Sequence, residues 1–364
     1  MEITTIGIDL AKSVLALSGA DRRGRVVMRK QLRRGQVVEF LSRLGRCVVG
    51  MEACGGAHHW ARAIAKLGHE VRLMSPALVL PYRKGNKHDR NDADAVLEAV
   101  GRPTMRFVAV KSVAQQDLLA LHRVRGRLMK QRIALSNQIR ALLHERGVVT
   151  RRGAAGLRAG VGAALADEHN ELSGELRGLV VELMEELGAL ELRLRSFDQR
   201  IERAARRDER CIRLRAVPGV GPLTASALVA TVGNAREFRS GRELSAYLGL
   251  TPRQHSSGGK TVMLGISKRG DRYLRTLLIH GARSLLYGKR WRTHPRSAWA
   301  GRLIASRGQN VAAVALANHN ARLLWALLSR GARYRPGLHG TRPPTEATVK
   351  PGRREGKLVL AKEA

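Results

Sequence analysis

Four carboxylates in the N-terminal third of the 364-residue sequence stand at the ends of apolar runs or on one helix face. Asp9 closes ITTIGID (3–9) and Glu52 closes CVVGME (47–52), while Asp89 and Asp92 lie three apart in a stretch that reads as a helix, a spacing that puts both on one face. Strand ends and a helix face can converge. Carboxylates gathered in this way repel one another unless a cation compensates them, and an all-oxygen donor set suits Mg²⁺ or Mn²⁺. Such an ion polarises phosphoryl oxygens and stabilises the attacking and leaving groups of an in-line displacement. Asp94, two residues beyond Asp92, competes for a place in the set. Taken singly, Asp92 or Asp94 reads equally well as a helix cap and Glu52 as a surface residue; the metal reading rests on their joint placement.

A second chemical candidate lies in LGLTPRQHSSGGKTVMLGISKRGDRYLR (248–275). Ser256-Ser257-Gly258-Gly259-Lys260 combines hydroxyls, backbone freedom and a nearby cation, as a serine attacking a phosphodiester requires. Alone, the same residues read as a flexible surface loop, and His255 as either a base or an idle loop residue. A third feature is Pro218-Gly219-Val220-Gly221-Pro222 ahead of an apolar helix. It resembles the hairpin of a helix-hairpin-helix element, where glycine-exposed N–H groups and a helix N-terminus meet a phosphate, although a purely structural turn needs the same glycines.

The elements that must position these residues follow from periodicity. Residues 3–9, 13–19 and 25–32 read as a three-strand meander turning at Asp21-Arg22-Arg23-Gly24. A helix near 35–44, a strand at 47–52, a helix at 57–67, a strand at 69–74 and a helix at 89–100 follow. Three strands and then alternating helix and strand is a ribonuclease H-like pattern. Beyond it, 113–146 carries Leu121, Val124, Leu128, Leu135 and Leu142, and 171–206 carries Leu172, Leu176, Leu179, Leu183, Leu187, Leu190, Phe197 and Ile201, mostly at spacings of three, four or seven. These stretches flank a Gly/Ala-rich segment (153–166) and predict a long coiled-coil-like hairpin. The expected fold class is therefore α/β plus all-α: residues 1–110 a ribonuclease H-like domain, 111–210 a helical arm, 211–335 a mostly helical C-terminal domain, and 336–364 a basic tail without periodicity.

Charge defines the partner. The chain has 66 Lys and Arg against 30 Asp and Glu, a net charge of +36, and 28 basic against 6 acidic residues fall in 211–364. An excess of this size is the footprint of a phosphate-backbone binder. From Lys268 to Arg307 eleven basic residues accompany one acid, Asp271, with Tyr273, Tyr287, Trp291 and Trp299 among them. Each aromatic is a candidate for stacking on unpaired bases or for plain packing. A membrane reading would need an amphipathic anchor, a lipidation signal or a long apolar span, and none is expected; Asp9 and Lys12 interrupt residues 1–20, which argues against a signal peptide. Cys47, Cys54 and Cys211 lack metal-ligand spacing and read as reduced thiols of a cytosolic protein.

GIDLAK (7–12), GMEACGG (50–56), KHDRNDADA (87–95), the run from AVPGVG (216–221) through YLGLTPRQHSSGGK (247–260) to LGISKRG (264–270), and more weakly ALANHNARLLWALL (315–328) together resemble insertion-sequence transposases of the IS110 type. The likeness covers nearly the whole chain to about residue 335. It implies a resolvase-like DEDD domain in which Asp9, Glu52, Asp89 and Asp92 hold Mg²⁺ or Mn²⁺, and a C-terminal domain in which Ser257 is the nucleophile. Ser257 is preferred to Ser256 because the serine directly before glycine matches the family pattern. The resemblance further implies a covalent phosphoserine intermediate, a composite site completed between subunits of a homo-oligomer (dimer or tetramer), and a bridge RNA pairing with donor and target DNA. Two rivals stand beside it. One is a hydrolytic junction-resolving nuclease in which Ser257 is only a loop residue, and the other a noncatalytic architectural nucleic-acid-binding protein.

Overall fold

The structure is a computed structural model describing residues 2–86, 88–288, 291 and 296–335; the expected tail 336–364 lies outside the described residues. The architecture is mixed α/β, with a six-stranded sheet followed by helices.

β1 (Thr5–Asp9), β2 (Val14–Ala20) and β3 (Val26–Arg33) form the expected antiparallel meander. Its second turn is closed by Asp21, whose carboxylate accepts from the N–H groups of Arg23 and Arg25, and by Gly24 at φ 75°. α1 (Val37–Ser42) leads into β4 (Val48–Glu52), which runs parallel to β1; α2 (Ala57–Ala65) then leads into β5 (Glu70–Met74), parallel to β4. After α3 (Pro76–Val79) and α4 (Asp89–Val100), a short β6 (Phe107–Val108), which periodicity did not reveal, pairs antiparallel to β5. The order β3-β2-β1-β4-β5-β6 agrees with a ribonuclease H-like DEDD fold.

Placement of α4 matters most. Its Ala93 and Leu97 lie directly on β1, where a Cβ added at Gly7 would fall 2.4 Å from the Leu97 nitrogen. Glycine is required there by close approach. The contact seats the Asp92 end of α4 over the Asp9 end of β1.

α5 (Val113–His144) and α7 (Gly174–Arg207) pack side by side, with the Gly/Ala-rich segment forming α6 (Gly153–Ala166). Ser112 and Ser173 cap α5 and α7 by accepting from backbone N–H groups of the first turn. Arg125, in the first half of α5, pairs with Asp198, in the second half of α7. Leu128, Leu135, Ile139 and Leu143 meet Leu176, Val180, Leu187, Leu190 and Leu194. The buried stripe differs from the one predicted: Leu179 is 43 % exposed, and Val180 takes the inward position. An α-helix of 3.6 residues per turn drifts from a strict seven-residue repeat, so neighbouring apolar positions exchange roles along a long helix.

α8 (Glu209–Arg215), α9 (Pro222–Val232), α10 (Gly241–Tyr247), α11 (Arg272–Tyr287), α12 (Ser297–Arg307) and α13 (Gln309–Arg330) share a separate core built on Leu214, Leu228, Leu248, Leu278, Leu316 and Leu324. Contrary to expectation, one span, α13, is long and apolar enough to cross a membrane. Its Ala313, Leu316, Ala317, Ala321 and Leu324 are buried in this core, which accounts for the apolarity without a lipid. His122 of α5 ties the arm to this region. Its Nε2 donates to the Ser226 hydroxyl, which donates onward to the Pro222 carbonyl, and its Nδ1 accepts from Tyr273. Burial pulls the His122 imidazole down to about 4, so it is neutral.

The expected loop around Ser256-Ser257 is instead a two-stranded ribbon of β7 (Pro252–Ser257) and β8 (Lys260–Ile266). Its turn is Gly258-Gly259, with φ 54° and 76°. Positive φ at both central residues gives the turn whose twist matches a hairpin, which is why two glycines stand there.

Candidate active site

Asp9 ends β1 and Glu52 ends β4, the parallel neighbours at the centre of the sheet, so both carboxylates emerge at one sheet edge. Asp92 is added by α4. Burial, then the negative charges of Asp9 and Asp92, push the Glu52 carboxyl above its usual range, with the Arg83 guanidinium acting in the opposite sense. Arg83 Nη1 lies 3.4 Å from Asp92 Oδ1. Three of the four predicted acids, from three separate elements, therefore share one electrostatic neighbourhood. Asp89 stands exposed one turn before Asp92 in the first turn of α4.

The donor set fits a hard divalent ion: all oxygen, with like charges that raise the half-buried Glu52 carboxyl. As placed, the acids are not closed on a common centre, and no group of three His, Cys, Asp or Glu side chains among the described residues has metal-binding spacing. Arg83 supplies the nearby positive charge at Asp92 instead.

Asp94 belongs to a different face. It accepts from the Ser18 hydroxyl and from Arg29 of β3, pinning α4 to the meander. Burial opposes its ionisation, but the bonds from Arg29 and Ser18 prevail and hold the carboxyl below its usual range. Two residues along a helix are about 200° apart, so Asp94 and Asp92 point in nearly opposite directions. Cys54, which carried no role in the sequence, lies beside the acids: burial, Glu52 and Asp9 raise its thiol.

Ser257 lies on the exposed ribbon, where residues Pro252 to Gly265 are all exposed. Strand alternation separates the two serines. Ser256 shares a face with Gln254, whose Nε2 donates to its hydroxyl at 2.8 Å, and pairs across the ladder with Thr261. Ser257 lies on the other face, with His255 two residues before it and Lys260 directly opposite.

The Pro218–Pro222 turn joins α8 to α9 and rests on α11. Gly219, at φ 83°, packs backbone to backbone on Gly281, where a Cβ would come 2.0 Å from the Gly219 oxygen. An open groove of about 830 Å³ runs along this contact past Thr224, His280 and Ser284. Of the four aromatics considered for stacking, Trp291 is buried, Tyr273 and Trp299 pack on the core, and Tyr287 alone is freely exposed at 68 %.

Carboxylates gathered at one end of a mixed α/β sheet and joined to a strongly basic helical region fit an enzyme that acts on DNA, and likeness to known proteins shows one. Residues 6–146 match the DEDD transposase family model, and residues 211–296 match the model described as "Transposase IS116/IS110/IS902 family". A protein of Pseudomonas aeruginosa named "Probable family 20 transposase" is 51 % identical over 338 residues, 93 % of this chain and 100 % of that protein. The "Transposase for insertion sequence element IS1111A" of Coxiella burnetii is 46 % identical over 92 % of both chains. The transposase for element IS1328 of Yersinia enterocolitica is 38 % identical over 91 % of this chain and 98 % of its own. The chain belongs to the IS110/IS116/IS902 family of DNA transposases, and its DEDD domain points to use of a divalent metal.

Proposed function

We propose that this transposase moves its insertion sequence by cutting and rejoining DNA, with Asp9, Glu52, Asp89 and Asp92 as metal ligands and Ser257 as nucleophile. The observation that carries the reading is that the parallel ends of β1 and β4 and the first turn of α4 bring Asp9, Glu52 and Asp92, far apart in sequence, into one electrostatic neighbourhood. Asp9, Glu52, Asp89 and Asp92 would hold Mg²⁺ or Mn²⁺, which when bound would supply Lewis-acid stabilisation of phosphoryl oxygens. Ser257 Oγ attacks a DNA phosphorus and the bond from phosphorus to the neighbouring sugar oxygen breaks. The serine proton departs to a base and the freed sugar oxygen leaves as a hydroxyl. His255, two residues before Ser257 on the same strand face, would take the serine proton and return it to the departing sugar oxygen, and Lys260 would offset phosphate charge. The phosphoserine ester keeps the energy of the broken bond, so attack by another DNA hydroxyl rejoins strands and restores Ser257.

Full exposure of the ribbon supports a site completed by a second subunit of a dimer or tetramer. The α8–α9 turn fits a helix-hairpin-helix-like contact to phosphate, and the α5–α7 hairpin a coiled-coil arm. Of four apolar clusters, two lie within 1–110, one within 111–210 and one almost wholly within 211–335, which supports division at those bounds. The +36 charge supports binding of donor and target DNA together with a bridge RNA in the cytoplasm, with base pairing reading sequence and the protein reading backbone.

The test is a denaturing pull-down of the tagged chain from cells carrying the element with its native flanks. DNA attached covalently to the wild type and absent from Ser257→Ala is expected. Recombination by Ser257→Ala at the wild-type level overturns the serine assignment and favours the hydrolytic nuclease.

A further inference from the structure

The ribbon that carries Ser257 leaves the C-terminal core with its strands exposed, and an isolated two-stranded hairpin holds its own shape poorly in water. Its direction must be set at its feet. Arg275, in the first turn of α11, is only 8 % exposed, and its Nη1 donates to the main-chain oxygens of Leu248 at 3.0 Å and Arg269 at 2.9 Å. Leu248 precedes β7 and Arg269 follows β8, so one guanidinium bonds both feet. Between them Ser267 N–H donates to the Thr251 oxygen at 2.8 Å and Lys268 N–H to the Gly249 oxygen at 3.1 Å. Asn318 of α13 adds a bond to the Leu250 oxygen at 2.9 Å.

The feet are pressed together as closely as backbone allows. A Cβ at Gly249 would fall 2.2 Å from the Arg269 oxygen, and one at Gly270 1.8 Å from the Tyr247 oxygen. Lys268, at φ 55°, is the only non-glycine residue in the left-handed region among the described residues. Burying a cation costs several kcal/mol unless its donors are used, so an apolar plug would fill this space more cheaply. What a guanidinium adds is direction, because the two N–H bonds of Nη1 are held in the guanidinium plane and fix the two carbonyls they meet.

We propose that Arg275 is a positioning residue that aims the ribbon and thereby places the Ser257 hydroxyl; this rests on the reading of Ser257 as nucleophile. The lever is long. Seven residue steps, mostly strand, lead from Leu250 to Ser257, roughly 20 Å at about 3.3 Å per residue, so a tilt of about 5° at the feet moves the hydroxyl by about 2 Å. A misplacement of about 1 Å can cost roughly 100-fold in rate.

Arg275→Gln, Arg275→Lys and Ser257→Ala, each in the full chain, are compared in cells carrying the element with its native flanks. DNA captured after formaldehyde crosslinking reports binding, and DNA captured under denaturing conditions without crosslinking reports the covalent adduct. Arg275→Gln is expected to keep crosslinked DNA within about twofold of wild type while adduct formation falls about 10- to 100-fold. Arg275→Lys, with its single ammonium, is expected to fall between. Hydrogen exchange at the Ser267 and Lys268 amides should quicken in Arg275→Gln while the α9 and α13 core amides stay protected. An unchanged adduct level, or a loss that merely follows the loss of bound DNA, overturns the proposal. Should Arg275→Gln fail to fold, Asn318→Ala loosens the same feet from the other side and is judged by the same two results. An adduct retained by Ser257→Ala is a separate failure, that of the nucleophile assignment itself.

Discussion

The carboxylate end of the N-terminal sheet and the serine ribbon of the C-terminal region are built in opposite ways. Asp9, Glu52 and Asp92 are brought together by β1, β4 and α4, and their positions depend on a packed core and on the absence of a side chain at Gly7. Ser257 depends on two turn glycines and on the feet of a ribbon that otherwise touches solvent. The first region should fail as a unit when its packing is disturbed. The second should lose activity while the rest of the fold stays intact. On the proposed reading, the acids are held by elements packed on a core, and the serine sits on a lever that can reach a partner.

Ser257→Ala and Asp9→Asn, with the largest effects, should each lower strand exchange by roughly 10³-fold or more. Circular dichroism and DNA capture should remain close to wild type for both; Ser256→Ala should stay within about threefold. Equal losses from the two serine variants would erase the distinction between the ribbon's faces.

Gly7→Ala sharpens the contrast, because its Cβ would drive α4 off β1. Overpacking of this type costs about 1–3 kcal/mol, so a lowered Tm should accompany lost strand exchange. Gly258→Ala meets open space and pays only for its left-handed φ, about 1–2 kcal/mol confined to the turn. Reduced adduct formation is expected there without a change in the Tm of the cores. A global loss of stability from Gly258→Ala would contradict the independence of the ribbon.

Metal addition separates the regions by pH. The Glu52 carboxyl is raised in the folded chain, so the metal-free fold is favoured while Glu52 is protonated and loses that advantage as pH rises through the raised value. An ion that needs Glu52 ionised therefore stabilises more at pH 8 than at pH 5. At about 100 times Kd the gain at pH 8 should approach about 2.7 kcal/mol, read as a Tm shift with Mn²⁺. Glu52→Gln should abolish the pH dependence of that shift, whereas Ser257→Ala should leave it unchanged.

Asp94→Asn gives the smallest effect. It weakens the Arg29 and Ser18 contacts and should lower stability by about 1 kcal/mol, with strand exchange retained. Loss of metal-dependent stabilisation in this variant would return Asp94 to the ligand set.

Much of the fold was legible because apolar alternation and helical spacing are local signals. The meander, the alternating helices and strands after it and the long α5 and α7 all follow from them. β6 escaped because two residues carry no period, and the ribbon escaped because its strands, exposed on both faces, show no apolar alternation. The Gly258-Gly259 pair before Lys260 was the available signal, and it reads as a hairpin turn only once strands are expected on both sides.

The sequence by itself pointed to a polyanionic partner, through charge that no fold can hide, and singled out the acids by residue type and joint placement, whereas the serine came from the family resemblance. Only the tertiary structure showed that Asp92 shares the surroundings of Glu52 while Asp94 turns to Ser18 and Arg29, because a helix turns its residues through about 100° each and packing sets which face meets the sheet. It likewise showed that most of the basic region's aromatics are packed, and that Arg275 is turned inward to bind backbone. Residue type is a local property of the chain. Orientation is not, since it depends on contacts between segments remote in sequence.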